Sequence, residues 1–191
     1  GLIFSSLNDM RKNEIADATD AVLAIAAIVE KPNLINAARQ ALLATVSEKD
    51  ADKIEQGMSS ENANVQLVAV AAAEAALGER ANEALLPLLD ADSQPLRLQA
   101  ATALINTGNR DALKVFGELL DADDVQVRSR AVQALRAVSG ERFKYLAYEK
   151  VDKRAEATKA WQQWIADAGQ SAELKLPIGD SNVLLGRTLV A

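Results

Sequence analysis

The chain has 191 residues, 49% hydrophobic and 25% charged, and with only 4% aromatics its apolar content is mostly Ala, Leu and Val, which suits closely packed helices around a sizeable core. It holds no cysteine and no histidine, which excludes disulfides, thiolate nucleophiles, imidazole bases and the usual zinc and transition-metal ligands. The net charge of -6 is unevenly spread: residues 1–93 carry 7 Lys/Arg against 15 Asp/Glu and residues 94–191 carry 14 against 12, so the acidic end repels phosphate backbones and favours a basic partner.

The start, Gly1-Leu-Ile-Phe4, has neither an initiator Met nor a charged n-region and reads as a processed or excised piece. Leu2–Arg11 is too short to assign. Asn13–Glu30 reads as a long amphipathic helix. Its apolar run, Ala21–Val29, is far short of the roughly 20 residues a bilayer requires and is flanked by Asp17, Asp20 and Glu30, so it predicts a core helix and no membrane span. A cysteine-free sequence is compatible with the cytosol or with export, which leaves the compartment open.

From Leu34 onward the sequence repeats. Leu34–Leu42, Val65–Ala73, Leu96–Leu104 and Val127–Leu135 align at a constant step of 31 residues, bringing Ala38, Ala69, Ala100 and Ala131 into one column and Ala41, Ala72, Ala103 and Ala134 into another. Within a copy the apolar positions Leu96, Ala100, Ala103 and Leu104 lie on one face of a helix, here helix A. Alanine at fixed positions lets neighbouring backbones approach, so equivalent helices stack. Breaks at Gly78, Gly108-Asn109 and Ser139-Gly140 predict helix ends. A second apolar run, helix B, follows in Ala81–Leu89 and Ala112–Leu120 and stops at the repeated Leu-Leu-Asp-Ala-Asp of 88–92 and 119–123, whose aspartates cap the next helix A. Pro95 suits the first turn of a helix, whereas Pro87 falls inside a helix B and predicts a lost hydrogen bond and a bend.

Asp124-Val-Gln-Val-Arg128 with Ala131 and Ala134-Leu135, the poorer copy Asp92-Ser-Gln-Pro-Leu-Arg97, and Leu85-Leu-Pro-Leu-Leu-Asp90 resemble the HEAT-repeat superfamily, in particular the short repeats of the bacterial phycobilin-lyase-like group. The resemblance spans about residues 34–169 and is specific for fold, not for activity. It implies an all-α protein, a right-handed α-α superhelix (HEAT-like solenoid) of four to five helical hairpins. It also implies a ladder of turn Asp and following Arg between repeats, for which Arg97 and Arg128 match while Ile35 and Gln66 do not.

A last helix A reads at Arg154–Ala168, where Ala160, Trp164 and Gly169 match Ala131, Leu135 and Gly140 at a step of 29. Phe143, Tyr145, Tyr148, Trp161 and Trp164 gather near this end, either closing the repeat core, the preferred reading, or forming a binding surface. Ala172–Ala191 loses the pattern. Glu173–Pro177 and Val183–Val190 fit two short strands there, or the stretch tucks back against Trp161. The domain reading is a helical repeat domain over 1–170 followed over 171–191 by a short non-helical tail or the start of a further domain.

Asp121-Ala-Asp123-Asp124 begins like a calcium loop, but Val125, Gln126 and Val132 stand where the fifth, sixth and twelfth positions require other residues, so capping is the reading and no metal is expected. No glycine-rich phosphate loop occurs, and no cofactor is expected. Some HEAT-like proteins are DNA glycosylases with a basic groove lined by Trp, Tyr and Asp. Trp161, Trp164, Tyr145 and Asp152 beside Arg142, Lys144, Lys150, Lys153, Arg154 and Lys159 make that, or plain nucleic-acid binding, the alternative, although Glu141, Glu149, Asp152 and Glu156 offset most of the charge. The favoured reading is a non-catalytic scaffold that binds a protein partner on the concave face made by the B helices. Residues that recur in register while varying in chemistry are the candidates: Glu83, Lys114 and Tyr145 in one row, and Pro87, Glu118 and Glu149 in a second.

Overall fold

In the computed structural model, which describes residues 2–13 and 18–178, Gly78, Gly108 and Gly140 adopt φ of 55°, 88° and 78°. These are left-handed values that a Cβ disfavours, and they fall at the three breaks that the repeat predicts. The helices between them are α1 (Leu2–Asn13), α2 (Thr19–Ile28), α3 (Pro32–Thr45), α4 (Ala51–Met58), α5 (Ala63–Leu77), α6 (Ala81–Leu85), α7 (Gln94–Asn106), α8 (Asp111–Leu119), α9 (Val125–Ser139) and α10 (Val151–Asp167). The fold is all-α, with no strand among the described residues. The four predicted A helices are α3, α5, α7 and α9. Leu2–Arg11, which the pattern does not assign, is helical, and the expected single helix over Asn13–Glu30 is represented by α2, with residues 14–17 outside the described residues.

The chain divides into two compact units, Gly1–Leu88 and Leu89–Ala191. In the first, α1, α3 and α5 pack in a row, α2 lies against α3 and α5, and α4 lies against α5. The close approach of α4 and α5 depends on small residues: a Cβ built on Gly57 would stand 2.8 Å from the Cβ of Ala69. The repeat-column alanines Ala38, Ala41, Ala69 and Ala72 are all fully buried. Asn62 caps α5, its Oδ1 accepting from the amides of Asn64 and Val65 at 3.0 and 3.2 Å, while its Nδ2 donates to the Ala27 carbonyl at the end of α2. Pro87 acts as its position predicts: α6 ends after five residues and the chain continues to Asp90 as a 3-10 helix.

In the second unit α7 and α9 are neighbours, and α8 packs on both. Pro95 lies in the first turn of α7 behind the cap Ser93, and Asp124 caps α9 through the Gln126 amide at 2.7 Å, so each cap stands one residue past the repeated Leu-Leu-Asp-Ala-Asp, whose own aspartates do not cap. The last helix departs from expectation. α10 begins at Val151, and its principal helix neighbour is α8, a B element, so it takes a B position and not that of a further helix A. Residues 140–150 form no helix. The tail also departs from expectation: residues 173–178 run without a strand partner, and Val183–Val190 lies outside the described residues.

Candidate functional site

α8 is sharply divided. Ala112, Leu113, Val115, Phe116, Gly117 and Leu119 are buried, while Asp111, Lys114 and Glu118 form an exposed stripe one helical turn apart. The Lys114 side chain is 82% exposed, and its Nζ lies 3.8 Å from Glu118 Oε1. Glu118 Oε2 accepts from Arg97 Nη2, and Arg97 in turn donates through Nε to the Leu89 carbonyl at 2.7 Å. One carboxylate therefore joins an exposed, long-armed cation to a half-buried guanidinium fixed on the backbone. Glu83 is exposed on α6 of the first unit, and Pro87 is exposed in the 3-10 turn that follows it.

Arg97 and Arg128 share a role that differs from the expected ladder of turn carboxylates. Both guanidinia hold main-chain carbonyls, Arg97 that of Leu89, and Arg128 those of Ala122 at 2.6 Å, Asp123 at 2.8 Å and Ala147 at 2.8 Å. Gln66, at the equivalent position, does the same on a smaller scale, its Nε2 donating to the Met58 carbonyl at 3.1 Å. The departure of Gln66 from arginine thus preserves the contact to the preceding helix end.

Tyr145 requires a correction. The register places it in a surface row with Glu83 and Lys114, but it is 1% exposed and its hydroxyl donates to the Leu120 carbonyl. The physical reason is that the segment at its register position is not helical, the B position being taken by α10 further along the chain. Three carbonyls of residues 141–149 are held by arginines instead of helix amides: Arg136 donates to Tyr145 O, Arg128 to Ala147 O and Arg154 to Glu149 O. Burial pushes the Tyr145 phenol up from its ordinary value, with Arg154 and Arg128 pulling the other way. Glu149, also expected on a helix, is half-buried in this irregular stretch. The stretch exposes Tyr148, at 72%, which the sequence reading named only among the end aromatics, and Leu146, at 45%, which it missed. Their signal was the in-out alternation of Tyr145, Leu146, Ala147 and Tyr148, which a helical reading discards.

Of the five end aromatics Trp161 and Tyr145 are buried, Phe143 and Trp164 are half-buried and Tyr148 is exposed. Trp161 is fully buried, edge-on to Phe143 with centroids 4.8 Å apart, and edge-on to Trp164 at 6.1 Å. Trp161 and Tyr145, two of the aromatics that a base-binding groove would use, therefore face the interior. No group of three or more metal-binding side chains occurs among the described residues, and no helix among them is long and apolar enough to cross a membrane.

Paired helices stacked through small residues, with a buried seam and a polar outer face, define a helical-repeat protein. Residues 51–136 match the family model for HEAT repeats, which supports the HEAT-repeat superfamily. No curated protein matches the chain. HEAT repeats are generally protein-interaction scaffolds and typically not enzymes.

Proposed function

We propose that the chain is a non-catalytic protein-protein interaction scaffold whose partner contacts the exposed face of a B helix, through Lys114 and Glu118 of α8, with Glu83 on α6 and Glu149 as separate candidate contacts. The observation that carries this reading is the division of α8: a helix that buries its apolar stripe completely still displays a cation and two carboxylates on one ridge, with Glu118 held in place by Arg97. The match to HEAT repeats supports the general role. The acidic balance of residues 1–93 favours a partner whose matching surface is basic near Glu83. Tyr145 is withdrawn from the contact set because its ring and hydroxyl are committed to the core.

Affinity capture from the native extract tests the proposal, with the wild-type chain run beside Lys114→Glu and Glu83→Lys. Lys114 is highly exposed and only loosely paired, so its reversal should change stability by less than about 0.5 kcal/mol and leave helicity intact. A partner retained by the wild type and lost by Lys114→Glu supports the contact, whereas equal retention by all three chains removes the B-helix face from the account.

A further inference from the structure

Between α9 and α10 the chain turns apolar side chains outward. Leu146, Tyr148 and Val151 stand 45%, 72% and 66% exposed, although Tyr145 and Ala147 beside them are buried. A loose backbone is not the reason, because the carbonyls of Tyr145, Ala147 and Glu149 are held by Arg136, Arg128 and Arg154 at 2.6, 2.8 and 2.6 Å. Lys144 is kept at a φ of 52°, a left-handed value that a side chain disfavours. The apolar side chains are thus presented on a fixed backbone, which lowers the ordering cost of any contact they make.

The charges around them have a symmetry. Counted outward from Val151, Lys150 and Asp152 are opposite in sign, and so are Glu149 and Lys153. None of these four has an ion pair among the described residues. Lys150, Asp152 and Lys153 are exposed and Glu149 is half-buried. Glu149 stands ahead of α10, so its four-residue spacing to Lys153 makes no helix pair, and Lys150 and Asp152 are too near in sequence to face each other. A patch of two cations and two carboxylates has no net sign with which to choose an acidic or a basic partner. Its order matches a copy of itself. A two-fold axis beside Val151 brings Lys150 to the partner's Asp152 and Glu149 to the partner's Lys153, each contact made twice, and covers Val151 with the partner's Val151.

We propose that residues 146–153 are the contact surface of a two-fold symmetric dimer of this chain, in which Leu146, Tyr148 and Val151 supply the apolar centre and the four charges set the register. A surface this small, against the roughly 20–30 residues a side of a standard interface, makes a weak and concentration-dependent dimer. Glu149, a separate candidate for the partner protein, takes a second copy as its partner. No residue of the α8 stripe takes part, so the dimer and the Lys114 contact fail separately.

Sedimentation equilibrium of the purified full chain over a wide range of concentration tests the proposal. The wild type should pass from monomer to dimer as concentration rises, and less readily in high salt. Val151→Asp sets two carboxylates at the axis and should abolish the dimer. Lys150→Asp and Asp152→Lys each put like charges together at two symmetry-related places, so each alone should dimerise about tenfold more weakly. Mixed in equal amounts, these two chains should pair about as tightly as the wild type pairs with itself, since one is acidic and the other basic at both positions. Glu149→Lys with Lys153→Glu repeats the comparison at the second set of charges, and circular dichroism shows which variants keep their helices. A wild type that stays monomeric throughout, whether or not the patch retains another protein, would overturn the proposal. So would a Val151→Asp dimer as tight as the wild type, or mixtures that pair no better than their components.

Discussion

The hydroxyl of Tyr145 donates to the backbone carbonyl of Leu120, at the end of α8, and so ties the irregular stretch 141–149 to the helix that carries the exposed stripe.

Removing this hydrogen bond should cost about 1–2 kcal/mol, since Tyr145→Phe leaves a buried carbonyl without its donor. Both tryptophans, Trp161 and Trp164, belong to the second unit, so urea unfolding followed by tryptophan fluorescence reads this unit alone. The variant should unfold at lower urea with an unchanged slope. An unchanged midpoint would mean that the ring alone secures the stretch.

The same phenol predicts alkaline sensitivity. Its value is raised above the ordinary 10.0 by burial, which outweighs the neighbouring Arg154 and Arg128. The folded chain therefore keeps this proton at pH values where the unfolded chain has lost it. The contribution is complete below pH 10.0 and disappears as pH rises through the raised value. Tyrosinate absorbance should show a late phase above pH 10.0 that is absent from Tyr145→Phe, and the wild-type chain should lose its stability advantage over that variant across the same range.

Two glycines at helix crossings should respond differently to alanine. At Gly57 the added Cβ meets the Cβ of Ala69 at 2.8 Å, a rigid neighbour, so overpacking of about 1–3 kcal/mol should exceed the helix-propensity gain of about 1 kcal/mol. At Gly117 it meets the Cδ1 of Ile165 at 2.7 Å, the tip of a side chain that can turn away, and the net change should stay within about 1 kcal/mol of zero. Urea unfolding followed by circular dichroism compares them. The opposite order would mean that α4 and α5 separate more readily than α8 and α10.

The A helices were legible because their cause is local and periodic: alanine at two columns in all four, and, for α5, α7 and α9, a capping residue ahead and glycine at the break. Pro87 and Pro95 were legible for the same reason, as each acts on its own backbone. The third helix B was not. Arg142–Lys150 sits where the step of 31 predicts a helix, but three of its carbonyls are bound by Arg128, Arg136 and Arg154, and its amphipathic look comes from an alternation that buries Tyr145 and Ala147. Contacts from side chains on two other helices leave no periodic trace. Once the register slipped there, Tyr145 joined the surface row by count and α10 was read as an A helix. Lys114 and Glu118 kept their places because α8 lies before the slip, in a copy whose register holds. The burial of Trp161 fits the core-closing alternative that the sequence left beside a binding surface, whereas the 72% exposure of Tyr148 does not.

The central claim is that a protein partner sits on the exposed stripe of α8. A photo-crosslinking amino acid placed at Lys114 tests it most directly, with Gln133, exposed on α9, as the control position. The account expects a discrete protein adduct from position 114 in the native extract and none from 133. Adducts of equal yield from both positions, or from 133 alone, would contradict it.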